Sequence, residues 1–282
     1  MERRAGISRI DGTFARRVDA VTTLVVKLGG HALERLDVDA PVLGDLASDV
    51  VALAQHGTRV VLVHGGGPQI SELLGDLSMQ SRFVDGLRVT DERTMGVVAM
   101  ALAHVNVQIV ATLNARGLRA VGLSGVDATL LRARALGAPW GRAAVEPIID
   151  VALVVDLVSL GYTPVVSSVG VDADGNLVNC NADTLAGALA AALGTELVLL
   201  SDVDQVRYDP DDATSVLNSV SKREVMDLLE RGAAREGMRP KLTAALDALN
   251  GGAPRVRLAN GRREHALARL LSGALASTEV TP

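Results

Sequence analysis

Short apolar runs rich in valine and leucine alternate along the chain with longer segments of helical periodicity. The runs predict buried strands at 22–28, 59–63, 119–123, 163–167, 196–200 and 254–259. The segments between them predict helices near 42–55, 67–76, 91–116, 149–160, 183–193, 222–231, 239–250 and 263–272. Continuous apolar strands separated by helices are typical of a mainly parallel sheet that helices cover on both faces. The pattern therefore predicts an α/β fold.

Two Asp-Gly pairs interrupt this alternation. Asp85-Gly86 lies in FVDGLRV and Asp174-Gly175 lies in VGVDADGNLVN, and both pairs are typical of β-hairpin turns. We expect the two hairpins to be flaps over a site and not members of the main sheet. The second hairpin also marks the boundary that we expect between two lobes, at residues 21–175 and 176–282, preceded by an extension at residues 1–20.

Composition and charge narrow the class of protein. Of the 282 residues, 48% are apolar, which is enough for a large buried core. The net charge of −5 and the aromatic content of 2% argue against a nucleic-acid partner, because a basic surface and a stacking platform are both lacking. The single cysteine, Cys180, excludes intrachain disulfides and fits a reducing cytosol. Because no apolar run has membrane-spanning length and the N-terminus has no signal-peptide core, we expect a cytoplasmic protein without a membrane partner.

Lysine is rare in this chain, since only Lys27, Lys222 and Lys241 occur among 28 basic residues. Because arginine fills the other basic positions, a lysine is a candidate for a task that needs a compact ammonium, such as contact with a phosphoryl oxygen. Lys27 comes just before the Gly29-Gly30 pair. Lys241 lies near the start of a predicted helix, where a cation opposes the helix dipole unless an anion is nearby. Lys222 lies in the first turn of a polar helix, where we expect it to be solvated.

Two glycine clusters follow predicted strands at their carboxyl ends. Gly29-Gly30 follows the first strand, and Gly65-Gly66-Gly67 follows His64 at the end of the second. Ligands bind at such strand ends in open α/β sheets, and glycine lets backbone N–H groups approach an anion closely. Tight strand-to-helix turns are the structural alternative, but two clusters beside a rare lysine favour anion binding. The chain lacks the P-loop, the complete dinucleotide fingerprint and the nucleophile elbow of serine hydrolases, so those classes are excluded.

Polar residues mark two further positions. The segment Asn179-Cys180-Asn181-Ala182-Asp183 precedes an alanine-rich helix, where its amides and carboxylate can cap the helix or bind a polar ligand. We expect Cys180 to be a packed side chain and not a nucleophile. Ser201-Asp202 closes the strand at 196–200, again at a carboxyl end.

These segments occur in an order and at spacings that resemble the amino acid kinase family. The segments are VVKLGG, LVHGGGPQI, FVDGLRVTD, GLSG, NCNADTLAGALAAAL, LLSDV and GMRPKLTAALDAL. The resemblance implies a three-layer α/β/α sandwich with a mainly parallel central sheet, an N-terminal acceptor lobe and a C-terminal nucleotide lobe. It also implies transfer of the ATP γ-phosphoryl group to the side-chain carboxylate of an N-acylated acidic amino acid, with N-acetyl-L-glutamate, on the route to arginine, as the first candidate.

The resemblance further implies a role for each motif residue. Lys27 and Lys241 would flank the transferring phosphoryl group, Asp183 would orient both lysines, and Gly30 and Gly66 would donate N–H groups to the transferring oxygens. The acceptor would contact Gly65, Gly66, Arg88, Asn179 and Asn181, with Arg88 in a bidentate pair with its α-carboxylate. ATP would contact Lys27, Gly29, Gly30, Ser201, Asp202 and Lys241. Mg²⁺ would bridge the ATP phosphates, and no side chain is implied as a dedicated metal ligand.

Four positions depart from the family pattern, namely His31, Val126, Gln205 and Glu236. They leave two alternatives open. One is a related kinase of a carrier-linked or specialised-metabolite acyl amino acid, and the other is a nucleotide- or amino-acid-binding regulator without turnover. The resemblance also implies a homodimer and, for some members of the family, a larger homo-oligomer.

Overall fold

The computed structural model describes residues 22–29, 33, 40–234 and 237–282. Our expectations for Gly30, His31, Glu236 and the extension at residues 1–20 lie outside the described residues. The described strands are β1 (Thr22–Leu28), β2 (Thr58–His64), β3 (Phe83–Val84), β4 (Leu87–Arg88), β5 (Ala120–Ser124), β6 (Leu131–Gly137), β7 (Gly141–Ile149), β8 (Thr163–Ser167), β9 (Val169–Val171), β10 (Leu177–Cys180), β11 (Glu196–Ser201), β12 (Val206–Arg207), β13 (Val216–Leu217), β14 (Ser219–Ser221), β15 (Val256–Asn260) and β16 (Ser277–Thr281). The described α-helices are α1 (Pro41–Gln55), α2 (Gly67–Asp76), α3 (Glu92–Ala115), α4 (Ala152–Ser159), α5 (Ala182–Leu193), α6 (Lys222–Glu230), α7 (Met238–Asn250) and α8 (Ala266–Leu271).

The main sheet contains eight of these strands, in the order β14-β16-β15-β11-β1-β2-β8-β5. Neighbouring strands are parallel, except that β16 runs antiparallel to β15. Successive side chains of β1 point to opposite faces, so that Leu24 and Val26 pack in one apolar core and Val25 packs in the other. All six strands predicted from apolar runs belong to this sheet, and its mainly parallel character is confirmed.

Helices cover both faces of the sheet. The core that contains Leu24 includes buried side chains of α1, α3 and α8, and the core that contains Val25 includes those of α4, α5, α6 and α7. Helix α2 packs on α3 in a third, smaller cluster. The three-layer α/β/α arrangement is therefore confirmed.

The two Asp-Gly hairpins lie outside the main sheet, as expected. Strands β3 and β4 pair only with each other, whereas β9 and β10 join β6 and β7 in a small closed sheet. The β6–β7 hairpin, the β12–β13 hairpin and strands β14 and β16 were not predicted. These strands are short or carry charged side chains on exposed faces, so they lack the continuous apolar run that marks a buried strand.

Helix α3 agrees with the helix predicted near 91–116, but it is more apolar than the sequence analysis allowed for. Its 24 residues pass the length and composition test for a membrane span, but half of its most apolar window is buried inside the protein. Val105, Ile109 and Leu113 pack against the main sheet, and Asp91 caps the first turn by accepting a hydrogen bond from the Thr94 N–H. The helix is therefore a core element of this fold.

Candidate active site

The predicted motifs meet at the carboxyl ends of three adjacent strands in the middle of the main sheet. Strand β1 lies between β2 and β11 in parallel register, which places Lys27 level with Val63 and Leu199. Residues Gly65–Gly67, which we call the glycine loop, follow β2 directly and lead into α2. Segments that are far apart in the sequence are thus brought to one edge of the sheet, where parallel strands place their ligands.

Lys27 and Asp183 form a buried ion pair at this edge. Asp183 lies in the first turn of α5, and its Oδ1 is 2.8 Å from the Lys27 Nζ, with both side chains less than a tenth exposed. Burial raises the pKa of the Asp183 carboxyl, but the charges of Lys27 and Lys241 outweigh it and hold the pKa below its ordinary value. The carboxylate therefore stays ionised between two cations.

Lys241 approaches the same carboxylate from α7. Its Nζ donates a hydrogen bond to the Gly237 carbonyl at 3.0 Å. Burial lowers the pKa of the Lys241 ammonium; the charge of Lys27 lowers it further, whereas Asp183 and Asp202 oppose the change. Two lysines of like charge are thus held close together by the carboxylates beside them. Lys222 is the first residue of α6 and is not among the residues that line the cavities described below.

The glycine loop packs its backbone against α3. A side chain at Gly66 would place its Cβ 2.8 Å from the Leu102 Cδ2 and 3.3 Å from the Val105 Cγ2, so the close approach requires glycine. Gly29 has a different role in this arrangement. Its N–H donates to the Leu200 carbonyl at 2.8 Å, and a Cβ there would lie 2.8 Å from the same oxygen. Gly29 therefore joins β1 to β11, and its N–H is engaged by the protein.

Arg88 lies on the first hairpin and points toward the glycine loop. Its guanidinium donates to the Gly67 carbonyl at 2.9 Å, to the Ser71 hydroxyl at 3.0 Å and to the Ser81 hydroxyl. It also stacks over the Phe83 ring at 4.7 Å. Burial lowers the pKa of this guanidinium. Because Nη2 already donates to both Gly67 and Ser71, a bidentate pair with a ligand carboxylate requires Ser71 to release this nitrogen.

The two asparagines of the fifth motif have different partners. Asn179 on β10 donates from Nδ2 to the Thr90 hydroxyl at 3.1 Å, and that hydroxyl donates to the Arg88 carbonyl at 2.8 Å. Asn181 caps α5, because its Oδ1 accepts hydrogen bonds from the N–H groups of Asp183 at 2.8 Å and Thr184 at 3.2 Å. Capping and site formation were alternatives for this segment, and the cap is present on an element that also carries Asp183.

Two cavities flank the charged cluster. The glycine-loop cavity, of about 480 Å³, is lined by residues that include Lys27, Gly65, Gly66, Gly67, Arg88, Asn179, Asn181 and Asp183. The α7 cavity, of about 790 Å³, is lined by residues that include Asp202, Asp204, Gln205, Met238 and Leu242. Lys241 lies on α7 between Met238 and Leu242, which line the α7 cavity. Its ammonium interacts with Asp183, which lines the glycine-loop cavity, and with Asp202, which lines the α7 cavity. The cluster of Lys27, Asp183 and Lys241 therefore stands between the two cavities.

The end of β11 contributes both predicted residues to this region. Ser201 is buried, and its Oγ accepts a long hydrogen bond from the Val203 N–H at 3.4 Å, while Asp202 lines the α7 cavity. Gln205, one of the departures from the family pattern, donates to the Asn218 side chain at 2.7 Å and to the Ser277 carbonyl at 3.1 Å. Its amide thus connects three loops at the cavity wall.

Val126, another departure, lies away from the glycine-loop cavity. It is partly exposed and lines a third cavity of about 390 Å³, together with Leu123, Val169 and Leu177. The departure from the family pattern at Val126 therefore affects this third cavity and not the glycine-loop cavity, which Lys27 and Arg88 line.

The sequence analysis missed several residues that support the site. Ser71, Ser81 and Thr90 hold Arg88 and Asn179, and the buried pair His64–Asn106 lies behind the glycine loop. Thr90 follows Arg88 closely within FVDGLRVTD, so the motif itself could have indicated it. The spacing of 42 residues between His64 and Asn106 carries no such signal.

Comparison with known proteins gives consistent results along most of the chain. A sequence model described as the amino acid kinase family matches residues 22–260. An acetylglutamate kinase of Symbiobacterium thermophilum is 43% identical over 256 residues, which cover 87% of this chain and 86% of that protein. A chloroplastic acetylglutamate kinase of Arabidopsis thaliana is 40% identical over 264 residues, which cover 92% of this chain and 75% of that protein.

Solved structures show the same fold. The crystal structure of a protein from Streptococcus mutans UA159 matches 92% of this chain and 98% of its own, with a TM-score of 0.78 and 25% identity. A carbamate kinase from Giardia matches 93% of this chain and 99% of its own, with a TM-score of 0.68 and 17% identity. The second likeness concerns the fold alone.

Proposed function

The chain belongs to the amino acid kinase family, and from that premise we propose that it is an enzyme that phosphorylates the side-chain carboxylate of N-acetyl-L-glutamate with ATP. The γ-phosphoryl group passes to a carboxylate oxygen, ADP leaves, and the product is an acyl phosphate on the route to arginine. The observation that carries the proposal is the cluster of buried Lys27 and Asp183 with half-buried Lys241, between two cavities. The relatives named acetylglutamate kinase support the choice of acceptor.

The reaction needs positioning and charge more than acid–base chemistry. A free carboxylate has a pKa near 4, so the acceptor is already ionised at neutral pH and needs no general base. Bringing this anion to the ATP phosphates is unfavourable unless cations lie between them. Lys27 and Lys241 supply two such charges, and Asp183 holds both ammonium groups in place. The Gly66 N–H, and by resemblance that of Gly30, would bind the transferring oxygens.

The acceptor would occupy the glycine-loop cavity. Arg88 at one end would pair with the α-carboxylate after one serine releases the guanidinium, and Asn179 would contact the same end of the molecule. Gly65 and Asn181 lie beside the path from that end to Lys27. A cavity of about 480 Å³ is of the size that encloses a small metabolite.

The nucleotide would occupy the α7 cavity, with its phosphates toward Lys27 and Lys241. Among the described residues there is no cluster of three or more His, Cys, Asp or Glu side chains that could hold a metal ion. We therefore propose that Mg²⁺ takes most of its ligands from the ATP phosphates, as this ion commonly does. Asp202 lines the α7 cavity and interacts with Lys241, whereas Asp204 is paired with Arg263 at 2.9 Å. The bound ion would lower the negative charge of the phosphates.

The chain would divide into an acceptor lobe at residues 21–175 and a nucleotide lobe at residues 176–282. We also propose that it forms a homodimer through the acceptor lobe, because β5 is an edge strand and Met100, Val107 and Val126 expose apolar surface beside it. A sizing column run with and without arginine would separate a dimer from a larger homo-oligomer. The single buried thiol fits the cytoplasmic location that we propose.

Trapping with hydroxylamine tests the proposed reaction directly. The protein is incubated with Mg-ATP, hydroxylamine and one acceptor at a time, and the hydroxamate that forms from an acyl phosphate is measured. We expect hydroxamate with N-acetyl-L-glutamate and little with free glutamate, which lacks the acyl group. If hydroxamate formed only with a longer or carrier-linked acyl amino acid, that molecule would replace N-acetyl-L-glutamate as the proposed acceptor. ATP binding without hydroxamate from any acylated acidic amino acid would rule out the enzyme and favour a regulator.

A further inference from the structure

A buried histidine lies directly behind the glycine loop, where the reaction described above gives it no task. His64 is the last residue of β2 and is fully buried. Its Nδ1 is 2.9 Å from the Gly65 carbonyl oxygen, and its Nε2 is 2.9 Å from the Asn106 side-chain nitrogen. Asn106 is also buried and comes from the middle of α3. A buried polar network of this kind is costly unless each member has a partner.

The surroundings of Asn106 determine which of its atoms faces the histidine. The atom that contacts His64 also lies 2.9 Å from the Val165 carbonyl oxygen and 3.3 Å from the Leu123 carbonyl oxygen. Carbonyl oxygens only accept hydrogen bonds, so the atom that faces them is the amide nitrogen. The amide oxygen lies on the other side, against the backbone of Gly122, where an added Cβ would be only 2.0 Å away.

The orientation of Asn106 in turn determines where the imidazole carries its proton. The amide nitrogen has two hydrogens for three nearby acceptors, and Nε2 at 2.9 Å is one of the two nearest, so that ring nitrogen accepts and carries no hydrogen. The proton of the neutral ring is therefore on Nδ1, which donates to the Gly65 carbonyl. Burial lowers the pKa of His64 to about 4, which agrees with a neutral ring at physiological pH.

The held carbonyl fixes the direction of the next N–H group. In a trans peptide the C=O and N–H bonds point in opposite directions, and the bond between Gly65 and Gly66 is trans. When the Gly65 oxygen faces His64, the Gly66 N–H points the other way, and Gly66 is one of the residues that line the glycine-loop cavity. That N–H is the donor that the proposed function assigns to the transferring phosphoryl oxygens.

We propose that Asn106 and His64 are positioning residues that aim the Gly66 N–H at the phosphoryl group through a relay of two hydrogen bonds. This inference rests on the proposed function for its consequence, although not for its geometry. The relay connects α3 to the glycine loop without touching the substrate. Loss of Asn106 would free the ring to turn or to change tautomer, and the peptide between Gly65 and Gly66 would lose its fixed direction.

The first test needs only the wild-type protein. Long-range ¹H–¹⁵N correlation spectra of histidine-labelled protein report which ring nitrogen carries the proton, and His64→Asn identifies the resonance. We expect the Nδ1–H tautomer across the neutral range, with no protonation of the ring. An Nε2–H tautomer, or an imidazolium at neutral pH, would overturn the inference. This readout does not depend on turnover, so it also stands if the hydroxamate experiment fails.

The second test uses a matched pair of variants on α3. Asn106→Leu removes the relay, whereas Asn114→Leu removes an asparagine on the same helix whose side-chain hydrogen bonds, within the described part of the chain, are both with the backbone of Ala120. We expect Asn106→Leu to lower kcat by about 10- to 100-fold with the KM for ATP changed by less than about threefold, since a small misplacement of a catalytic group affects the transition state most. Asn114→Leu should keep the wild-type kcat.

A binding experiment separates positioning from general damage. The affinity for Mg-ADP alone is compared with that for Mg-ADP and acceptor in the presence of aluminium fluoride, which mimics the transferring phosphoryl group. Asn106→Leu should lose affinity for the mimic and keep affinity for ADP. Equal loss for both, or a folded variant with wild-type kcat, would contradict the relay. If Asn106→Leu does not fold, the tautomer measured in the wild-type protein decides the question.

Discussion

At the scale of single residues, the site depends on how the Lys27 charge is enclosed. The ammonium is buried against a carboxylate that is itself buried, so water screens the pair weakly and its field reaches a neighbouring ligand. The charges of Lys27 and Asp183 cancel, so this pair alone offers no net positive charge to an anionic ligand. Lys241 supplies that charge, and its own pKa is lowered by the same enclosure.

Replacement of Lys27 by arginine tests whether the position of this charge matters. Lys27→Arg keeps the charge but spreads it over a larger planar group, so kcat should fall by about 100-fold or more. The urea unfolding midpoint should change little, because the ion pair with Asp183 can still form. Lys222→Arg is the matched control, since it changes the same residue type at the start of α6, and both its kcat and its stability should be unaffected. Near-normal turnover of Lys27→Arg would show that any cation suffices there.

At the scale of elements, the start of α5 combines a structural and a chemical task. Asn181 caps the helix, and two residues later Asp183 faces Lys27, so the cap sets the direction of the first turn that carries the carboxylate. Helix α6 has a cap of comparable strength in a different place, because Ser221 and Glu224 form a reciprocal capping box. Comparison of the two helix starts can therefore separate the contribution of a cap to stability from its effect on the site.

Removal of the two caps should affect stability alike and activity differently. Asn181→Ala and Ser221→Ala should each lower the free energy of unfolding by about 1 kcal/mol, since each leaves helix N–H groups without an acceptor. Only Asn181→Ala should also lower kcat/KM, because Asp183 then loses its fixed first turn. Urea titrations and steady-state kinetics of both variants measure this. Equal kinetics in the two variants would mean that Asn181 serves α5 alone.

The strands that could be predicted from the sequence differ physically from those that could not. β1, β2, β8 and β11 are buried on both faces and read as continuous apolar runs, and the motifs at their carboxyl ends indicated Lys27 and the glycine loop. β6, β7 and β16 expose alternate positions, so polar residues interrupt their pattern. Likewise, the contacts of Asn106 with His64 and of Thr90 with Asn179 join distant segments, and no local pattern encodes them.

At the scale of the whole molecule, one sheet runs through both proposed lobes, since β1 pairs with β11 across the boundary. A second connection lies at the edge, where Asp49 of α1 accepts hydrogen bonds from the His265 ring at 2.8 Å and from the Ala268 N–H at 3.0 Å. The carboxylates of Asp49 and Asp45 raise the pKa of His265, with the hydrogen bond to Asp49 as the largest cause. The two lobes thus share a titratable contact.

Stability should pass through a maximum between the titrations of two histidines. The pKa of His64 is lowered to about 4 in the native protein. Below pH 6.5 the unfolded chain therefore binds a proton at this residue that the native protein does not bind. The free energy of unfolding falls by up to about 3 kcal/mol as the pH drops toward 4. The raised pKa of His265 acts in the opposite sense. Its contribution is present below pH 6.5 and is lost as pH rises through the raised value.

Urea unfolding at a series of pH values checks both signs. His64→Asn should flatten the loss on the acid side, and His265→Gln should flatten the loss on the alkaline side. The two variants are controls for each other, because each should leave the opposite limb of the profile unchanged. A wild-type slope on the acid side of His64→Asn would show that other groups cause the acid sensitivity.

The position of β1 in the sheet has a consequence for how ligands leave. β1 has four strands on one side and three on the other, so its amide hydrogens should exchange with solvent only when the whole sheet opens. The hairpin of β3 and β4 has only two residue pairs, so we expect it to open locally more often than the main sheet does. The cation that we propose to contact ATP is therefore anchored in the part of the sheet that we expect to exchange most slowly, whereas Arg88 lies on the two-pair hairpin. We expect a product held by Arg88 to leave through a brief local opening of the hairpin while Lys27 stays in place for the next cycle.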